Sequence, residues 1–189
     1  MRRPHWQLLA VAGLLIGSPS VHADDPEIRY YDVVGNSASA LRAQLDAKRP
    51  HWENGEKGNA FTKWIVSWNY KSEPVPDGCV FADLQATVTG TITLPRWTYG
   101  PDTPPSLVKK WQIYIAAVRV HEDGHYAHGL AAAQEIVAAS KSFRASGDCS
   151  TLLSQFMEHV APLYKKYANA DAEYDIQTQH GKTQGAIVP

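Results

Sequence analysis

His121, Glu122 and His125 stand in the stretch His121-Glu122-Asp123-Gly124-His125, a His-Glu-x-x-His spacing within a run of helical periodicity. Residues four apart lie one above the other on an α-helix, so two imidazoles can reach one metal ion with Glu122 beside it. The chemistry this suits is zinc-dependent hydrolysis, with the two histidines as ligands and the glutamate as general base toward the water that the metal activates. A surface helix with two solvated histidines is the competing reading. Against it, Trp111, Tyr114, Val118, His121, His125 and Ala132 follow the three-and-four spacing of a single buried stripe. Buried imidazoles need partners, and a metal would satisfy both at once.

Several elements must position that motif. Its own helix is expected from near Ser106 to about Phe143, interrupted by Gly124 and Gly129. A mid-helix glycine costs about 1 kcal/mol relative to alanine, so both ask for the close approach of another backbone or of substrate. Earlier, residues 28 to 34 read as a strand ending at Gly35-Asn36, and Ser37 as the N-cap of a helix that carries Leu41 and Leu45 and stops near Pro50. A polar loop spans 51 to 60, and Phe61 to Tyr70 is a strand whose Trp64, Val66, Trp68 and Tyr70 share one face. That aromatic face is read as core rather than as a carbohydrate platform.

After a proline-bearing turn between Glu73 and Gly78, Ala82, Leu84, Ala86, Val88, Gly90, Ile92 and Leu94 alternate with Asp83, Gln85 and a run of threonines. This predicts a long, half-exposed antiparallel strand or hairpin that Pro95 ends. It is a candidate edge for an extended peptide, an ordinary structural hairpin being the alternative. Beyond Gly147-Asp148 a second helix is expected from Thr151 to about Ala172, kinked or split at Pro162, and the tail from Lys182 to Pro189 is expected to fray. The fold class is α+β and zincin-like: a small antiparallel sheet packed against the long motif-bearing helix and a second, C-terminal helical segment.

The first 23 residues read as a signal peptide, with Arg2 and Arg3, an apolar run from Leu8 to Ile16, and Val21-His22-Ala23 as the cleavage site. Residues 24–189 then form a single metallohydrolase domain, exported to the periplasm or the exterior, with no segment for stable membrane insertion. Taking Arg2 and Arg3 from the 18 basic residues leaves sixteen against 19 acidic ones, and no basic patch stands out, so nucleic acid is not an expected partner. Cys79 and Cys149, the only cysteines, are expected to pair as a disulfide in an oxidising compartment. Thiolate metal ligation is disfavoured because no Cys-x-x-Cys spacing exists.

Catalytic zinc usually takes three protein ligands. His128 lies on the same helix face but about 10.5 Å along the axis from His121, too far to join the same ion; it is read as belonging to the surroundings of the metal or the substrate cleft, a satisfied structural histidine being the equal alternative. Position 131, where another protease class carries its third histidine, is Ala131. Glu158, His159, Asp171, Glu173, Asp175 and His180 are all able to ligate. His180 is attractive because it follows Tyr174-Asp175-Ile176-Gln177-Thr178 where the helical pattern ends, so its side chain can turn back.

HEDGH paired with a C-terminal YDxxTxHG resembles a bacterial family of domains of unknown function described as predicted secreted zinc-dependent proteases. The Tyr31-Asp32-Val33 strand leading to Leu41, and Trp64-x-x-x-Trp68, fit it as well, over most of residues 24–189. The resemblance implies that Tyr174, Asp175, Thr178 and His180 gather near His121 and His125. His180 is the assigned third ligand, with Asp175 and Glu158 as alternatives; whichever of His180 and Asp175 is unbound would orient a ligand or steady an oxyanion, and Tyr174 is a candidate oxyanion donor. The expected activity is hydrolysis of peptide bonds in a peptide or protein substrate, with zinc as cofactor. Alternatives are an amidase acting on cell-wall peptides and a non-catalytic, zinc-stabilised envelope binding module.

Overall fold

The computed structural model describes residues 20–50 and 58–189. The expected charged start and apolar run of the leader, and most of the 51–60 loop, lie outside those residues. Strand β1 (Ser20–Ala23) is followed by β2 (Glu27–Val34), helix α1 (Ala38–Lys48), β3 (Phe61–Val75), β4 (Gly78–Thr98), α2 (Pro105–Ser140) and α3 (Leu152–Thr178). The start of α1 is fixed locally, since the Ser37 hydroxyl accepts from the Ala40 amide at 3.2 Å and caps the helix. Leu41 and Leu45 are its buried face.

β4 is the spine of the sheet. One edge pairs antiparallel with β3, from Phe61 opposite Thr93 to Val75 opposite Gly78. The other pairs with β1 at residues 85–88 and with β2 at residues 91–98, both parallel. The sheet is therefore mixed, which corrects the antiparallel expectation. Alternation along a strand tells which face is buried and leaves the direction of its neighbour open. The excursion through α1 and β3 returns the chain so that β4 runs in the same sense as β2. A second correction follows: Asp83 to Leu94 is the centre of the sheet, whereas β3 is an edge with no strand on its outer side among the described residues. Ser20–Ala23, expected to end a leader, contributes a short strand, and Asp24 is tied in through its amide to the Val88 carbonyl and its carbonyl to the Tyr126 hydroxyl.

Pro95 does not end β4. Among the described residues pairing with β3 stops at Thr93, so at Pro95 that side of β4 has no ladder to break, and β4 continues to Thr98 against β2. Nor does Pro162 split α3, which runs on for six residues past its expected end. The tail is packed rather than frayed. Lys182–Gln184 forms a 3-10 turn, Ala186 and Val188 enter the core, and Arg42 Nε donates to the Pro189 carbonyl at 2.9 Å.

The helix-facing side of β4 (Leu84, Ala86, Val88, Ile92, Leu94) is buried, as its alternation requires. Two apolar clusters form on it. One joins β2, α1 and the first half of α2 around Trp97, Trp111 and Tyr114; the other joins the second half of α2 to α3 around Ile136, Phe156 and Val160. The motif residues sit between the two, where α2 is braced from both ends. Cys79 and Cys149 are bonded across a separation of 70 residues, tying the start of β4 to the connection between α2 and α3. Among the described residues no helix is long and apolar enough to cross a membrane.

Candidate metal centre

Along the seam between α2 and α3 five side chains alternate as His121, Asp175, His125, Asp171 and His128. His121 Nε2 lies 3.1 Å and His125 Nε2 3.3 Å from the same Asp175 Oδ1. On the other side of its ring, His125 Nδ1 lies 3.0 Å from Asp171 Oδ1, which is also 2.6 Å from His128 Nδ1. Helical spacing explains the pattern: α2 offers imidazoles at i, i+4 and i+7, and α3 offers carboxylates at i and i+4.

The hydrogen bonds behind the rings point both Nε2 atoms at Asp175. Gln184 donates its amide to the Tyr174 hydroxyl at 2.9 Å, leaving its Oε1 to accept from His121 Nδ1 at 3.0 Å. Asp171 does the same for His125 Nδ1. Each neutral ring then presents its Nε2 lone pair to a carboxylate, and three electron-pair donors converge with no hydrogen between them. Only a cation reconciles them: a metal ion or added protons. A zinc ion fits. Ligand atoms 2.0–2.1 Å from a tetrahedral ion are roughly 3.3 Å apart, which matches the two spacings to Asp175. Without it the protein resorts to protons, for although burial opposes charge on His125, hydrogen bonds to Asp171 and Asp175 push its pKa up to about 10. Burial likewise opposes ionisation of Asp175, yet hydrogen bonds from His121 and His125 hold its carboxyl below the usual range.

Glu122 is 3 % exposed, and Thr62 Oγ1 lies 2.8 Å from its Oε2 and 3.0 Å from its carbonyl, donating to one or the other. Burial raises its pKa against the pull of Thr62 and the two imidazoles, which makes its carboxylate a stronger base than a solvated one. Tyr174 stacks on His121 with ring centroids 5.0 Å apart and meets His125 edge-on at 5.1 Å. The mid-helix glycines answer to side chains rather than to backbone. A Cβ at Gly124 would lie 2.3 Å from the Tyr174 hydroxyl, and one at Gly129 2.6 Å from the Trp64 ring.

His180 is placed at the rim. Its Nδ1 lies 3.3 Å from Asp175 Oδ1, but its side chain is 72 % exposed, and the mutually close set is His121, His125 and Asp175 without it. Gln179, His180 and Gly181 all take positive φ, so the chain doubles back at the end of α3, and Gly181 lets it lie against the His121 ring. His128 falls beside Asp171. Glu158 is exposed, seventeen residues and about 25 Å along α3 from Asp175, outside the cluster. Thr178, as the motif implied, reaches His121, with Oγ1 3.4 Å from Nδ1.

The sequence marks neither Thr62 nor Gln184 for the site, places Trp64 in the strand's aromatic core face, and offers Asp171 only among the acids able to ligate. Asp171 also accepts from Trp64 Nε1 at 3.4 Å. Its signal was present in the four-residue spacing to Asp175. Thr62 and Gln184 carry no local mark, because their partners are 60 and 63 residues away. No curated protein and no solved structure is similar enough to match. The sequence model of a bacterial family of proteins of unknown function, DUF922, matches residues 28–181, from β2 to the turn against His121, and the chain belongs to that family.

Proposed function

We propose that the protein is an exported zinc-dependent peptidase. The observation that carries this reading is the convergence of His121 Nε2, His125 Nε2 and Asp175 Oδ1 beside the buried Glu122. Bound there, zinc would supply a Lewis acid that polarises a carbonyl and makes water acidic enough to attack near neutral pH. Glu122, held by Thr62, takes the proton of the attacking water and passes it to the leaving amine. The Tyr174 hydroxyl accepts from Gln184 and keeps its own hydrogen for the oxyanion that develops on the substrate. Asp175 replaces His180 as the assigned third ligand, since it is the less exposed member of the pair and touches both rings. An extended peptide would lie along the outer edge of β3, which enters the site at Thr62. Export is supported by the disulfide.

The test is Glu122→Gln in the zinc-loaded protein, assayed against a peptide library. Expected is full zinc content with turnover lowered about 10²- to 10⁴-fold. Equal cleavage by variant and wild type would refute the base, and zinc uptake without cleavage by the wild type would favour a binding module.

A further inference from the structure

His128 is too far along α2 to share an ion with His121, and that argument leaves it open to share a different one. The alternating ladder has two openings of the same chemical make-up. The inner one lies between His121 Nε2, His125 Nε2 and Asp175; the outer one lies between His125 Nδ1, His128 Nδ1 and Asp171, and its ligand atoms are again all within 4.8 Å of one another. In each, two imidazole nitrogens and one carboxylate oxygen converge from the same two helices. The outer set is the more accessible, with side-chain exposures of 27 % for His128 and 26 % for Asp171, against 7 % for His121 and 14 % for Asp175. From another described element, the Trp64 indole donates to the second oxygen of Asp171 at 3.4 Å and leaves Oδ1 to the two imidazoles.

We propose that the outer opening is a second, weaker site for a divalent cation of the zinc class, held by His128, Asp171 and the far nitrogen of His125. The donor set suits zinc or copper better than magnesium or calcium, which favour all-oxygen shells. Filling it while the inner site is occupied makes His125 a bridge between the two ions. His125 Nδ1 then releases its proton to solvent and the imidazole becomes an imidazolate. That lost proton, and the repulsion of the inner ion, make the outer site the weaker one. The inference concerns metal occupancy and stands whether or not the protein cleaves peptides.

The test is equilibrium dialysis of the metal-stripped protein against rising zinc, with zinc content read by elemental analysis, and a parallel cobalt titration read by its visible absorption. Expected are two ions per wild-type chain, the second binding at least tenfold more weakly, and one ion per chain in His128→Ala. In His121→Ala the inner ion is lost and the outer retained, so failure of the inner site would be told apart from failure of this one. Thermal melting of each variant confirms that it is folded, and His128→Asn serves if the alanine variant is not. A wild type that saturates at one ion, or a folded His128→Ala that still takes two, would overturn the proposal.

Discussion

At the scale of single residues, the centre is governed by which nitrogen of each imidazole is committed elsewhere. Asp171 is the clearest case: it fixes the tautomer and tilt of His125 without belonging to the inner set of ligands. Removing a partner of this kind lowers metal affinity about 10- to 100-fold in zinc proteins. Asp171→Asn is therefore expected to weaken zinc binding by that factor in a competition assay with a chelating dye, with the far-ultraviolet circular dichroism unchanged. If zinc is the native ion, the metal-free protein should also reveal the protons that would stand in its place. His125 is held charged up to about pH 10, above an unfolded value near 6.5. Its contribution to stability is thus complete below about 6.5 and lost as the pH rises through about 10. The melting temperature of the stripped protein is expected to fall across that window, and zinc to flatten the fall, since the bound rings are already neutral.

At the scale of elements, α2 is set against α3 and β3 by what lies in its two glycine notches, Tyr174 at Gly124 and Trp64 at Gly129. Alanine normally favours a helix by about 1 kcal/mol over glycine. At Gly124 the added methyl would collide with the Tyr174 hydroxyl, and pushing Tyr174 away moves its neighbour Asp175. Gly124→Ala should therefore lower the melting temperature and the zinc affinity together; a variant more stable than wild type with full affinity would show that the notch is unnecessary.

Elements were legible in the residues to different depths. α1 could be read because its cap and its two leucines are local, and β4 because its alternation is long. The end of α3 was not, since the face of residues 171–178 that meets α2 is polar, so apolar periodicity vanishes where the helix does its chemistry. Placing the helix end near Ala172 put Asp175 in a tail and hid its pairing with Asp171. The direction of β2 was likewise hidden, because nothing within a strand records its neighbour's sense.

At the scale of the whole molecule, two apolar clusters brace the ends of α2 and a covalent link closes the far side. Joining residues 70 apart restricts the unfolded chain by about 4 kcal/mol in the entropic account. Cys149→Ser is expected to lower the urea midpoint accordingly while leaving zinc content intact, because the link lies beyond the end of α2 and away from the ladder. A variant that lost its metal but not its stability would show a coupling that the packing does not suggest.

The turn after α3 has a consequence for biosynthesis. His121 acquires its orientation from Gln184, and its partners on α3 are Asp175 and Thr178, so half of the ladder is made more than forty residues after the other half. A nascent chain that has emerged only as far as α2 holds isolated histidines with little grip on zinc. Under the proposed zinc reading, capture of the ion would be postponed until the chain has been made as far as Gln184, and a chain threaded outward while still extended would meet its metal on the far side.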